Sequence, residues 1–153
     1  MKKIILPLII TLLFSCKKDG GSTPGSNISS PFTVKYEIVP TGTVTSSWGA
    51  PNIFYTNATG QTETESVSSL SNASLWSKTI TITTATRPLQ LNLQASTIAG
   101  SYYLILDKAG SLTQNIYING SLKASSTNQS ETSPTGINSK FRINIPALTF
   151  TVN

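Results

Sequence analysis

The sequence predicts an all-β protein, an antiparallel β-sandwich of about seven to nine strands. From residue 31 onward, apolar residues alternate with Ser, Thr, Asn and Gln at a period of two, as in strands that bury one face. No stretch there repeats apolar residues at the i, i+3, i+4 and i+7 positions of an amphipathic helix. Turn-forming residues separate the alternating segments, and two stacked sheets would bury the apolar faces against each other.

Six segments carry the alternation most clearly, and in each of them the apolar residues share one face. In the first segment Tyr36 lies on the apolar face with Val34 and Ile38, opposite Lys35 and Glu37. The threonine-rich polar faces suit a pleated, half-buried sheet surface. The segments comprise residues 32–38, 80–82, 89–93, 112–118, 141–145 and 148–152.

Turn signals lie between these segments. Asn119-Gly120 is the strongest hairpin signal in the chain, because a type I′ turn requires a positive φ at both central residues. NATG at 57–60 links two further short runs. Proline has no N–H to donate to a sheet, so it is best tolerated where a strand begins or ends. Four prolines fall at such boundaries: Pro40, Pro51, Pro88 and Pro146.

The N-terminus resembles the signal peptide of a bacterial lipoprotein. MKK at 1–3 is a positive segment, and residues 4–14 form an apolar run that is too short to span a bilayer. LFSC at 13–16 resembles the lipobox, which is cleaved just before its cysteine. The resemblance implies that residues 1–15 are removed and that Cys16 carries a diacylglycerol and an acylated amino group. The alternative is an incidental cysteine within a signal peptide that is removed.

Residues 16–30 are predicted to be the lipidated cysteine and a flexible tether. Gly, Ser, Pro and Asn dominate this stretch, which has too little apolar surface to offset its ordering entropy. KKDG at 17–20 resembles the start of a surface-export signal of Bacteroidota-type lipoproteins, with Gly20 in place of a second acidic residue. We therefore expect a lipid-anchored protein of the bacterial outer membrane. Whether the domain at 31–153 faces the periplasm or the cell surface stays open.

The charge distribution predicts that the protein does not bind nucleic acid. The net charge is +5, but four of the basic residues lie at or before residue 18. From residue 31 onward seven basic residues stand against five acidic ones, without a basic run. A nucleic-acid site needs clustered Lys and Arg to displace counterions. The seven are Lys35, Lys78, Arg87, Lys108, Lys123, Lys140 and Arg142.

The chemistry-bearing residues predict neither an enzyme nor a cofactor or metal site. The chain has no histidine, so the commonest general base and metal ligand is missing. Glu63 and Glu65 would share one strand face, which suggests a calcium pair, but no Asp-rich loop supplies the remaining oxygen ligands. A solvated strand face is therefore the preferred explanation for these two carboxylates.

The order of several short motifs resembles the extracytoplasmic domain of the mycobacterial small membrane protein family (MmpS). That family shows a Tyr-Glu strand, a Tyr-Thr-Asp turn, a Pro-Trp-Ser segment and a Gly-Ser-Val-Thr to Val-Asp-Gly hairpin. The matching motifs are YE at 36–37, IFYTN at 53–57, LWSKT at 75–79, LNLQA at 91–95, GSLT at 110–113 and IYINGSLK at 116–123. The resemblance covers roughly residues 34–125 and implies a small immunoglobulin-like sandwich that assists export by a large transporter.

Three departures from that family bear on the resemblance. Gln114 stands where the family has a strand cysteine, so the family's disulfide is absent. Cys16 would replace a transmembrane helix as the membrane anchor. Residues 140–153 look like an added strand or two.

Aromatic residues are the remaining candidates for a contact site. Tyr103 and Tyr117 are predicted to point outward from their strands, and Trp48 lies in a Ser- and Gly-containing segment before Pro51. Trp76 is expected to plug one end of the core. The sequence therefore predicts a non-enzymatic, lipid-anchored module whose partner is an envelope transporter or another envelope protein. The alternative is a lipoprotein that binds a surface glycan or polymer through the exposed aromatic side chains.

Overall fold

The computed structural model describes residues 27–44, 50–71, 73–83, 86–97, 103–132 and 139–153. Within these ranges the chain forms ten β-strands and no helix, so nothing there could cross a membrane as an apolar helix. The strands are β1 (Phe32–Pro40), β2 (Asn52–Thr56), β3 (Thr62–Ser66), β4 (Trp76–Ile82), β5 (Leu89–Ser96), β6 (Tyr103–Leu106), β7 (Ser111–Ile118), β8 (Ser121–Gln129), β9 (Phe141–Asn144) and β10 (Leu148–Val152).

Two four-stranded sheets form the sandwich. Sheet I has the strand order β4-β1-β7-β8, and sheet II has the order β10-β5-β2-β3. Strands β6 and β9 pair as a separate ribbon, and all pairs are antiparallel. Isolated bridges from Val44 to Leu106 and from Ser130 to Ile143 attach the ribbon to the chain beyond β1 and β8. The predicted all-β antiparallel sandwich is confirmed.

The core lies between the two sheets and follows from the period-two alternation. In β1 the residues Phe32, Val34, Tyr36 and Ile38 are buried, as the alternation predicts. The same pattern buries alternate residues of β5, including Leu89, Leu91 and Leu93. Each fully buried aliphatic side chain of this kind contributes about 1.5–3 kcal/mol to folding.

Three aromatic side chains tie the sheets together. The Tyr55 ring lies 5.7 Å from the Tyr36 ring and 5.6 Å from the Trp76 ring, measured between centroids, and both pairs are tilted. The Tyr36 hydroxyl crosses to sheet II and donates to the Thr56 carbonyl at 2.9 Å. Burial raises the pKa of Tyr36, so this hydroxyl stays a donor at any physiological pH. Trp76 is only 7% exposed, which confirms its predicted place in the core.

A buried amide adds a polar tie between the sheets. Gln114 of β7 is fully buried, and its side-chain nitrogen donates to the Leu93 carbonyl of β5 at 2.8 Å. A longer contact of 3.4 Å reaches the Pro146 carbonyl. The side-chain oxygen of Gln114 is buried without a hydrogen-bond partner. Gln114 therefore joins the two sheets by a hydrogen bond.

The described residues form ten strands, whereas about seven to nine were predicted. Two polar edge strands, β3 and β8, account for much of the difference. β3 has the sequence TETES and β8 has SLKASSTNQ, so neither shows clear apolar alternation. Each stands at one edge of its sheet and buries little surface. Backbone hydrogen bonds to a neighbouring strand hold such segments extended without help from an apolar face.

Both predicted turns form. Asn119 and Gly120 have φ values of 48° and 78° between β7 and β8, as a type I′ turn requires. The Asn119 side chain also accepts the Thr33 N–H at 2.9 Å, which fastens the hairpin tip to β1. Between β2 and β3, Gly60 has a φ of 84° and the Asn57 side chain accepts the Gln61 N–H at 3.1 Å.

Candidate contact surface

The outward side of sheet I carries two adjacent rows of side chains, which we call the Tyr117 face. Strand register places four residues of β4, β1, β7 and β8 side by side in each row. The β-bulge between Ile116 and Tyr117 shifts the register so that Tyr117 stands opposite Leu122. The rows are Thr79, Lys35, Tyr117 and Leu122, and then Ser77, Glu37, Asn115 and Ser125.

Glu37 is the centre of a hydrogen-bond network on this face. One carboxylate oxygen accepts the Lys35 ammonium at 2.7 Å, and the other accepts the Tyr117 hydroxyl at 3.1 Å. The Asn115 amide donates to the second oxygen at 3.2 Å, and the Ser125 hydroxyl donates to the Asn115 oxygen at 2.7 Å. The network links β1, β7 and β8 and holds the Tyr117 ring in one place.

These contacts fix the protonation states on the face. The Lys35 ammonium, followed by the Asn115 and Tyr117 donors, lowers the pKa of Glu37. The hydrogen bond to Glu37 raises the pKa of Lys35. Burial, followed by the Glu37 carboxylate, raises the pKa of Tyr117. All three groups therefore keep their ordinary charge at neutral pH.

Tyr117 is half-buried on the outward side, as its alternation with Ile116 and Ile118 predicts. The Lys35 nitrogen lies 5.4 Å from the centroid of its ring, within the range of a cation–π contact. Next to it Leu122 is 53% exposed, although an apolar side chain of this size gains free energy by burial. An aromatic ring and a cation, both bonded to Glu37, thus lie next to an exposed leucine on the outer face of sheet I.

Tyr103 has a different setting. It starts β6 in the two-stranded ribbon, where the Arg142 guanidinium lies 4.7 Å from its ring centroid. Arg142 is itself paired with Glu131 at 2.6 Å. Within the described ranges, no hydrogen bond or ring contact links Tyr103 to Tyr117, and they lie in different sheets.

Two of the predicted site residues lie outside the described residues. Cys16 precedes residue 27, where the described chain begins, and Trp48 falls between residues 44 and 50. The proposed lipid anchor and the proposed Trp48 contact therefore stay predictions.

The carboxylates that suggested a calcium pair have other partners. The Tyr55 hydroxyl donates to Glu63 at 2.7 Å. Glu65 accepts the Trp76 indole N–H at 3.1 Å and the Lys78 ammonium at 3.0 Å, which joins edge strand β3 to edge strand β4. Within the described part of the chain, no three His, Cys, Asp or Glu side chains are grouped so that they could hold a metal ion.

Phe54 is an outward aromatic residue that the sequence reasoning missed as a site candidate. It is half-buried on the outer face of sheet II, where its register partners are Gln94 of β5 and Thr64 of β3. The signal was present in NIFYT at 52–56, because Ile53 and Tyr55 point into the core and Phe54 must point the other way.

The sequence matches no protein-family model, and no curated protein resembles it significantly. Function is therefore argued from the geometry of this chain and from its sequence.

Proposed function

We propose that the protein is a non-enzymatic, lipid-anchored module of the bacterial envelope that acts by contact through the Tyr117 face. The observation that carries the proposal is the combination of exposed Leu122 with Tyr117 and Lys35 held by Glu37. Interface centres favour aromatic side chains in fixed positions, since little conformational entropy is then lost on binding. The MmpS resemblance supports a transport-accessory role, with a large envelope transporter as the partner.

The lipid anchor is tested at Cys16. In the lipoprotein proposal, Cys16→Ser blocks lipid attachment and removes the chain from the detergent-soluble outer-membrane fraction. Cell fractionation with metabolic labelling by a palmitate analogue measures both effects. A Cys16→Ser variant that is still labelled and still processed normally would refute lipidation at this residue.

The contact face is tested by substitution at its exposed apolar residue. Leu122→Ser should leave the fold intact, because the side chain is 53% exposed, and should reduce recovery of the partner after crosslinking of intact envelopes. Leu75→Ser is the matched control, because Leu75 is 49% exposed and precedes β4, outside the two rows that define the Tyr117 face. Equal recovery of the partner with both variants would rule out the Tyr117 face as the contact site.

A second candidate is binding of a surface glycan or polymer. Phe54 lies between the amide of Gln94 and the hydroxyl of Thr64, and the row next to Tyr117 contains Asn115 and Ser125. An outward aromatic ring with such polar side chains near it suits stacking on a sugar ring with hydrogen bonds around it. A glycan array with the wild-type chain, Tyr117→Ala, Phe54→Ala and Trp48→Ala would detect this activity. Binding that survives all three substitutions would contradict a role for these aromatic side chains.

A further inference from the structure

A cleft of about 460 Å³ lies where the described chain begins. The segment that contains Asn27 and Ser30 forms one wall, and Arg87 forms another. Polar and apolar surface both contribute to its lining, and none of its side chains is a carboxylate. The lining residues are Asn27, Ile28, Ser29, Ser30, Arg87 and Asn153.

Arg87 is held rigidly at this cleft. One of its terminal nitrogens, Nη2, donates to the Ile28 carbonyl at 2.7 Å and to the Ser30 hydroxyl at 3.2 Å. The guanidinium also lies 5.0 Å from the centroid of the Phe32 ring, in cation–π range. The other terminal nitrogen, Nη1, is buried and has no hydrogen-bond partner.

The positive charge of Arg87 is not balanced by a neighbouring carboxylate. Lys35, Lys78, Lys140 and Arg142 each form an ion pair, but no acidic group of the described residues lies within 4.0 Å of Arg87. A half-buried guanidinium with an unsatisfied N–H is unfavourable unless a charged acceptor joins it. Both the missing acceptor and the missing negative charge are supplied by one kind of group, an oxyanion.

We propose that the Arg87 cleft is a phosphate-binding site. The planar guanidinium presents its donors in a fixed fork that matches the oxygens of a phosphate group. The hydroxyl of Ser29 and the amides of Asn27 and Asn153 add neutral donors around the cleft. Because Nη1 is buried, the proposal requires that residues 27–30 move away and release the two hydrogen bonds from Nη2 when phosphate binds.

The phosphate has two chemical sources, a lipid headgroup or free phosphate. Residues 27–30 are the last residues of the predicted tether, so under the proposed function the cleft lies where the tether meets the domain. The headgroup source rests on that proposal, whereas the phosphate chemistry of the cleft rests on Arg87 alone. A headgroup bound there would hold the domain against the membrane in one orientation.

The test uses the full chain in a phosphate-free neutral detergent. Inorganic phosphate and a short-chain phosphatidic acid below its micelle concentration are titrated separately and followed by amide NMR shifts. We expect saturable shifts centred on residues 27–30 and Arg87. Tighter binding of phosphatidic acid than of phosphate supports the headgroup source, and equal affinities support free phosphate.

Variants separate the site from general charge attraction. Arg87→Gln should weaken phosphate binding at least about tenfold, and Arg87→Lys should weaken it less, because the charge stays but the fork is lost. Lys108→Gln removes the same charge from an exposed position outside the cleft and should change binding less than about twofold. If Arg87→Gln fails to fold, Arg87→Lys alone carries the test.

Absence of saturable binding, or binding unchanged in every Arg87 variant that folds, would overturn the site. The anchor proposal fails separately. A Cys16→Ser variant that stays lipid-labelled and membrane-bound would refute the anchor proposal. The proposal of phosphate binding at Arg87 would not be affected by that result.

Discussion

Replacing Gln114 by methionine tests how the buried amide contributes to stability. Methionine is close to glutamine in size and shape, so the exchange leaves the packing nearly unchanged. It removes the hydrogen bond to the Leu93 carbonyl, which is worth about 0.5–1.5 kcal/mol net. It also removes the buried, unpartnered side-chain oxygen, whose burial destabilises the wild-type native state by about 1–3 kcal/mol. We therefore expect Gln114→Met to be as stable as the wild type, or more stable by up to about 2 kcal/mol.

Two further variants make the measurement specific. Gln114→Ala also leaves a cavity, so it should be about 2–5 kcal/mol less stable than Gln114→Met. Gln94 is the matched control, because its side-chain nitrogen donates to the Ile145 carbonyl at 3.1 Å from a half-buried position on the outer face. Gln94→Met should lower the free energy of unfolding by about 0.5–1.5 kcal/mol. The hydrogen bond is lost, and no buried unpartnered oxygen is removed to offset that loss.

Equilibrium unfolding in urea, followed by tryptophan fluorescence, gives the free energy of unfolding of each variant. A loss of more than about 1 kcal/mol in Gln114→Met would refute the reasoning. Such a loss would mean that the bond to Leu93 outweighs the burial cost of the amide oxygen.

Two other predictions follow from the turns and from the Tyr117 face. Gly120→Ala should lower the free energy of unfolding by about 1–2 kcal/mol, because alanine is strained at a φ of 78°. No clash adds to this strain, since a Cβ at Gly120 would meet no atom within 4 Å. Gly60→Ala should lower it further in the same urea assay, because its Cβ would also lie 3.2 Å from Leu89; equal losses would contradict this. The pKa of Glu37 is lower in the folded than in the unfolded state, so its ionised carboxylate stabilises the fold. This stabilisation is fully present above the unfolded-state pKa of about 4.3 and is lost as the pH falls through the folded-state pKa. Urea midpoints between about pH 6 and pH 3 should therefore fall more steeply in the wild type than in Glu37→Gln, and parallel slopes would oppose the prediction.

Much of the sandwich could be predicted because one buried face imposes a period of two on the sequence. β1 shows this most directly, since its apolar residues Phe32, Val34, Tyr36 and Ile38 are the ones that the structure buries. The Asn119-Gly120 turn was also predictable, because few other residue pairs tolerate positive φ at both positions.

The polar edge strands and the polar contacts could not be predicted in the same way. β8 is held by its backbone pairing with β7, which leaves no apolar pattern in its side chains. Glu65 meets Trp76 and Lys78 only because strand order brings β3 and β4 to the same side of the sandwich. Similarly, residues 27–30 have the composition of a tether, yet they contact Arg87 through bonds between positions far apart in the chain.

The position of β1 in sheet I constrains the order in which the chain can fold. β1 is the first strand in sequence but lies between β4 and β7, with Val34 opposite Ile80 on one side and Ile118 on the other. A ribosome releases the N-terminal end first, so β1 must wait for most of the domain before its second partner exists. Such long-range pairing makes folding slow relative to a helical protein of equal size. Polar residues alternate with apolar ones in both β1 and β4, so these strands stay partly polar until their partners are available, which disfavours aggregation of the incomplete chain.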